Sequence, residues 1–241
     1  MAVERVSLPE SSGLQVMIRL KQIGVSARVL VLTGAPSSRW HLVVVARALA
    51  GESGLLTIAT VVPEALQAIP HPRIGFVGMV DDVRFDTQLI VRLAENPDYH
   101  IVIVGGLLGD TARAFPQQPN IHLLGMQPVS ALPAYIKGLD VCLMPYRLNE
   151  ATRNIYPLKL HEYMATGKPV VTTAIPAVES FRDLMYVADN AEEFRQHVAQ
   201  ALLEHDSQRV VQRQQCAQQH SWEVHVAQKM QLIRHHMLAD A

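Results

Sequence analysis

Tyr156-Pro157-Leu158-Lys159-Leu160-His161-Glu162-Tyr163-Met164-Ala165-Thr166-Gly167-Lys168-Pro169-Val170-Val171-Thr172-Thr173 reads as a helix that runs into a buried strand. Pro157 suits the first helical position, where its missing N–H is not needed. Gly167 suits the position just past the helix, where φ is often positive. Lys168-Pro169 stops the helix, and the next four residues are β-branched throughout, as a strand prefers. On the helix Lys159 and Glu162 are i,i+3 neighbours and share a face. An ammonium and a carboxylate thus sit near a helix amino end, a place that already attracts phosphate. Taken by themselves, the two would equally make a surface ion pair worth about 0.3–0.5 kcal/mol.

Working outward, strands and helices alternate on both sides of this stretch. Residues 73–78, 99–104, 120–124, 140–144, 170–173 and 186–188 read as strands. Helices are expected at 86–95, with Asp86 near the start and Asn96-Pro97 at the end, at 130–137 with Ser130 as N-cap, and at 190–204. Residues 146–154 read as a polar loop. Apolar strands separated by helices predict an α/β fold, a doubly wound, parallel, Rossmann-like sheet. Such sheets bind ligands beyond the carboxyl ends of their strands. Gly78, Gly105 and Gly125 fall at three successive ends, where glycine lets a ligand approach the backbone. Each alone reads more readily as a turn glycine. Together, and with Lys159 and Glu162, they favour a site.

The chain changes character at Ile69-Pro70-His71-Pro72. This divides it into an N-terminal segment at 1–72, a main domain at 73–205 and C-terminal helices at 206–241, packed on that domain. The first segment offers a strand at 28–33, a turn cluster at 34–38, a helix at 41–50 and a strand at 55–62. It reads either as one β-α-β unit or as irregular sequence. At the other end Trp222 and the apolar residues after it suggest an amphipathic helix, and residues 212–219 a solvated, glutamine-rich helix surface.

Composition narrows the function classes. An apolar content of 49% over 241 residues supports a substantial core. A formal net charge of −1 gives no electrostatic case for nucleic acid. No apolar run reaches the roughly 18–20 residues of a membrane span. The first residues lack the basic-then-apolar order of a signal peptide. Cys142 and Cys216 lie far apart, with Cys142 in an apolar strand, which fits a reducing, cytoplasmic location. The eleven His form no metal-ligand spacing, so no metal and no cofactor are expected.

The stretch from Pro157 to Val171 resembles the donor-site signature of group 1 glycosyltransferases of GT-B fold. The resemblance extends over Pro72-Arg73-Ile74-Gly75-Phe76-Val77-Gly78, Ile103-Val104-Gly105-Gly106, Asn120-Ile121-His122-Leu123-Leu124-Gly125 and Leu139-Asp140-Val141-Cys142-Leu143-Met144-Pro145, which look like successive strands of that fold's C-terminal, donor-binding domain. It implies that Glu162 binds the ribose hydroxyls of a nucleotide sugar, that Gly78 lies close to the diphosphate, and that Gly125 and Met126 line the nucleobase. Gly105, Lys159 and Leu160 join the implied donor set. Many members carry a second Glu eight positions before the first; here that position is Asn154. The basic residues that often follow the first strand are reduced to Arg84.

The resemblance therefore implies transfer of a sugar from a nucleoside diphosphate sugar to a carbohydrate or lipid-linked acceptor hydroxyl. It names no catalytic residue. A GT-B enzyme has two domains of similar size, and the 72 residues ahead of the donor domain are expected to be a truncated or replaced front. A second chain supplying the acceptor domain, or a longer gene product, would complete such a site. The contrasting expectation is a non-catalytic subunit that keeps the fold and binds a nucleotide sugar or assembles with a partner.

Overall fold

Six short apolar runs build one parallel sheet in the computed structural model, which describes residues 62–111 and 115–221 together with Val224, Val226, Met230 and Gln231. The strands are β1 Arg73–Val77, β2 His100–Val104, β3 Ile121–Leu123, β4 Val141–Met144, β5 Val170–Thr173 and β6 Tyr186–Ala188. They lie in the order β3-β2-β1-β4-β5-β6, each parallel to its neighbours. The helices are α1 Glu64–Gln67, α2 Thr87–Ala94, α3 Leu132–Lys137, α4 Glu150–Arg153, α5 Lys159–Ala165, α6 Ala191–Leu202 and α7 Ser207–Gln219.

Alternation along the strands sends side chains to two separate layers. Val77, Val102, Val104, Cys142, Met144 and Val170 meet α1, α3, α5 and α7 on one face. Ile74, Phe76, Ile101, Ile103, Val141, Leu143 and Val171 meet α2 and α6 on the other. Helices on both faces make the sheet doubly wound, and this is why β1, β4 and β5 are buried at every residue. Cys142 is fully buried, and that burial pushes its thiol up to about 12.

Local chemistry sets most element ends. The Asp86 side chain accepts from the Gln88 N–H at the start of α2, and Asn190 from the Glu193 N–H at the start of α6. Gly167 has φ +74° just beyond α5. Ser130 does not act as the expected cap. It lies within a 3₁₀ turn, Val129–Ala131, and α3 starts only at Leu132, beside Pro133, which has no N–H to bond. Regular helix in α5 starts at Lys159 rather than Pro157, whose carbonyl accepts from the Leu160 N–H at 3.1 Å. The region read as a polar loop contains α4, whose start is fixed by a reciprocal Asn149–Thr152 capping box.

Leu66 and Ile69 pack into the layer that holds Ile136 and Leu139. The buried Arg73 guanidinium ties this segment to β1, donating to the carbonyls of Ile69 at 2.7 Å and Gln67 at 3.1 Å. On the same face α7 is held by Arg213, which is fully buried and donates to both Glu204 oxygens at 2.5 and 2.6 Å and to the Leu184 carbonyl at 2.7 Å. The strand expected at 28–33, the helix at 41–50 and all but Val62 of the strand at 55–62 lie outside the described residues, as does Trp222; of the helix expected after it, Val224, Val226, Met230 and Gln231 are described and helical.

Candidate functional site

The sheet changes direction of growth between β1 and β4, the kind of position where α/β proteins bind ligands. β1 pairs with β2 along its whole length, from Arg73↔His100 to Val77↔Val104. Its pairing with β4 stops at Gly75↔Cys142, while Leu143 and Met144 go on pairing with β5. A crevice therefore opens between the upper ends of β1 and β4.

The three strand-end glycines lie side by side along the sheet's carboxyl edge. The Gly78 N–H donates to the Val104 carbonyl at 2.8 Å, and the Gly105 N–H to the Gly125 carbonyl at 2.9 Å. Gly105 has φ +145°, and a Cβ there would run into the Gly78 carbonyl oxygen. Only glycine allows this approach of two chain turns. Above Gly106 the thioethers of Met79 and the exposed Met126 converge. A Cβ at 106 would lie 2.6 Å from Met79 Cε and 3.1 Å from Met126 Sδ.

Helix α5 delivers its side chains across the crevice. The Lys159 ammonium lies 4.8 Å from the centre of the Phe76 ring and against Gly78, where a Cβ would stand 2.8 Å from Nζ. Burial lowers its pKa below the ordinary lysine value, with the charge of Glu162 pulling the other way. Glu162 is half-buried too; desolvation raises its carboxyl, and Lys159 offsets part of the rise. Among the described residues no ion pair joins the two. The two are therefore half-buried charges one turn apart on α5 that influence each other without an ion-pair contact.

A second cation enters from the turn after β1. Asp81 accepts from the backbone N–H groups of Val83 and Arg84 at 3.1 and 2.8 Å, and from the Arg84 guanidinium at 2.8 and 2.6 Å. Burial works to raise the Asp81 carboxyl, but the bonds and charge of Arg84 outweigh it and hold it low. Arg84 acts to lower Lys159 and its partner Asp81 to raise it, so the clamp and the ammonium lie close enough to feel each other. The turn is laced to the segment after β4 by bonds from Asp86 N–H to the Pro145 carbonyl and from Arg147 N–H to the Arg84 carbonyl, both at 2.8 Å. Tyr146 lies beneath, its phenol pushed up to about 12 by burial despite the nearby Arg84 charge. Sequence showed Arg84 as the one base after β1. The signal for its orientation was the Asp81-x-x-Arg84 spacing, which went unread.

The structure thus gathers Gly78, Gly105, Gly125, Lys159 and Glu162 around one edge, with Met126 at its β3 side. Leu160 is not among them: its side chain is fully buried in the core and its N–H is taken by the Pro157 carbonyl. The N–H groups of Leu158 and Lys159 have no partner among the described residues. Asn154 is exposed at the end of α4, and no described contact links it to Lys159 or Glu162. A hollow of about 540 Å³ lined by Asp140, Lys168 and Glu204 opens beside the turn leading into β5, at the sheet's opposite end. Among the described residues no group of three or more His, Cys, Asp and Glu side chains could hold a metal ion. No described helix is long and apolar enough to cross a membrane.

Residues 71–204 match the profile of the family described as glycosyl transferases group 1. A stretch of 113 residues is 30% identical to Bacillus subtilis (strain 168) TuaH, named for a glycosyltransferase role in teichuronic acid biosynthesis, and covers 45% of this chain and 28% of TuaH. Among solved structures, Anabaena HepE in complex with UDP-glucose is similar at 16% identity and a TM-score of 0.53, over 74% of this chain and 53% of HepE. The α,α-trehalose 6-phosphate synthase of Burkholderia multivorans is similar at 14% identity and a TM-score of 0.53, over 73% and 45% of the two chains. At these identities the likeness is one of fold. The chain spans about half the length of these solved relatives and a smaller share of TuaH.

Proposed function

The chain belongs to the group 1 glycosyl transferases, and from that membership we propose that its described domain holds the donor, a nucleoside diphosphate sugar, for transfer of the sugar to an acceptor hydroxyl. The observation that carries this reading is the placement of the Lys159 ammonium against Gly78, with the Arg84 guanidinium close enough to perturb it. The Lys159 ammonium, the Arg84 guanidinium held by Asp81, two N–H groups with no partner among the described residues and a glycine turn at a strand's carboxyl end suit a diphosphate. The half-buried Glu162 carboxylate is suited to accept hydrogen bonds from a ribose diol. The adaptable thioethers of Met79 and Met126 suit the face of a base. At Asn154 the family pattern often has a carboxylate, and the amide here brings no charge to the donor.

In the reaction the bond between the anomeric carbon and a diphosphate oxygen breaks. A bond from that carbon to the acceptor oxygen forms, the acceptor loses its proton, and the nucleoside diphosphate leaves. Lys159 and Arg84 meet the charge that grows on the departing diphosphate, which is the largest electrostatic demand of the step. We further propose that the acceptor is a carbohydrate or a lipid-linked sugar, and that the groups which bind it and take its proton lie outside residues 62–219, in the same chain or in a second one.

HepE has been crystallised with UDP and UDP-glucose, which makes UDP the first nucleotide to test. Calorimetric titration with UDP, GDP and ADP should show binding of one, and the matching nucleotide sugar should then be hydrolysed or transferred. Absence of binding by all three rejects the donor site.

A further inference from the structure

Above Gly75↔Cys142, β1 has lost its partner on the β4 side. The Gly78 N–H turns to β2, so the Val77 N–H, one residue earlier, points across the widening crevice toward the side where β4 has drawn away from β1. A hydroxyl from α5 meets it instead: the Val77 N–H donates to Tyr163 Oη at 2.8 Å. Tyr163 is fully buried among Met144, Leu160 and Met164. The same hydroxyl donates to the Val77 carbonyl at 3.4 Å. A phenylalanine ring would pack there equally well, so the hydroxyl is accounted for by these two bonds to the Val77 backbone.

The bond closes a short mechanical circuit. Val77 leads directly to Gly78, and Tyr163 lies one turn along the helix from Lys159. Lys159 itself comes back to rest on Gly78. The distance between the glycine turn and the helix that carries the ammonium is thus set by the Tyr163 hydroxyl, in place of the ladder that β1 and β4 lack at this height. We propose that Tyr163 is a positioning residue for the donor: its hydroxyl fixes the gap between Gly78 and Lys159 in which the diphosphate is held. This rests on the donor-site reading above. The phenol keeps its proton throughout, because burial raises it well above its ordinary value.

The test is the full-length protein carrying Tyr163→Phe, titrated with the tightest-binding of UDP, GDP and ADP and with the corresponding nucleoside. Loss of the hydroxyl's hold on the gap should weaken the diphosphate about 2- to 10-fold, while the nucleoside, which does not bridge Gly78 and Lys159, changes far less. Val198→Ala, a fully buried change on α6 in the opposite layer, controls for lost stability and should leave both ligands alike. Equal weakening of diphosphate and nucleoside by Tyr163→Phe, no weakening, or the same split from Val198→Ala overturns the inference. Failure of the wild type to bind any of the three nucleotides overturns the donor site itself, and this inference with it. Hydrogen exchange at the Val77 amide of the wild type gives a second reading that needs no variant. Exchange should slow when the nucleoside diphosphate is added but not with the nucleoside, and an unchanged rate counts against the proposal.

Discussion

A Cβ atom at position 78 would stand 2.8 Å from the ammonium nitrogen of Lys159. Side chain and backbone therefore share one small volume, and the cation is held where a ligand passing over the glycine must meet it. Lys159→Ala should weaken nucleoside diphosphate binding far more than nucleoside binding, because its contact is with charge. Glu162→Ala should weaken both, because the ribose is common to them. Each loss of a charged hydrogen-bonding partner should cost about 1.5–3 kcal/mol, or roughly 10- to 150-fold in affinity. Calorimetric titration of both ligands into both variants checks this, and unchanged diphosphate binding in both would remove the pair from the site.

The two groups also predict a pH dependence of binding. Burial makes Lys159 lose its proton below the ordinary lysine value of 10.5, against the pull of Glu162. Burial makes Glu162 take one up above the ordinary 4.5, against the pull of Lys159. Binding needs the ammonium and the carboxylate. Diphosphate affinity should fall on the alkaline side before ordinary lysines titrate, and on the acid side before ordinary carboxylates do. In Lys159→Arg the alkaline fall should disappear, because guanidinium stays protonated. An alkaline fall that survives in that variant would assign it to another group.

Two of the edge glycines should respond very differently to alanine. At Gly105 the new Cβ meets the Gly78 carbonyl, and φ is +145°, so the strand end has to move. At Gly125 φ is +66° but the space is open, leaving only the left-handed backbone cost of about 1–2 kcal/mol. Urea unfolding should rank Gly105→Ala well below Gly125→Ala in stability, and nucleotide binding should be lost in the first, while in the second any weakening should fall on the base rather than on the diphosphate.

Arg213 offers a test of the scaffold apart from the site. Burial alone would raise the Glu204 carboxyl, but Arg213, the Tyr186 hydroxyl and Arg209 hold it below its ordinary 4.5. A carboxyl depressed on folding stabilises in full above its unfolded value and loses that contribution as pH falls through the folded one. Arg213→Met leaves Glu204 only Tyr186 and Arg209 and strands the carbonyls of Leu184 and Gly167, and should cost about 1–3 kcal/mol. Glu204→Gln should destabilise less and flatten the acid side of the stability profile, as measured by guanidinium chloride unfolding between neutral and acid pH.

The strands were legible because strands covered on both faces carry almost continuous apolar runs: 170–173 and 186–188 fall where expected, and the others lie within a residue or so. Caps were legible where one side chain decides them, as at Asp86 and Asn190. Ser130 misled because Pro133 moves the helix start past it. The capping box at Asn149 ends on Thr152 rather than a Glu or Gln, and α4 was hidden in a loop for that reason. Within the site, the Lys159–Glu162 face and the glycines could be read from spacing. The Asp81–Arg84 clamp has a local signal in its i,i+3 spacing, but its place beside Lys159 does not, and neither do the burial of Leu160 and the Tyr163 bond, since each depends on chain segments that meet only after folding.

The short β1–β4 ladder has a mechanical consequence. The sheet is two three-stranded ribbons, β3-β2-β1 and β4-β5-β6, stitched along only two residue pairs. Gly78 belongs to the first ribbon, while Lys159 rides on the helix that links strands of the second. A ligand seated on both stands with a foot on each side of the seam and acts as an added stitch, so its arrival should be felt as slower thermal breathing in strands that it never touches.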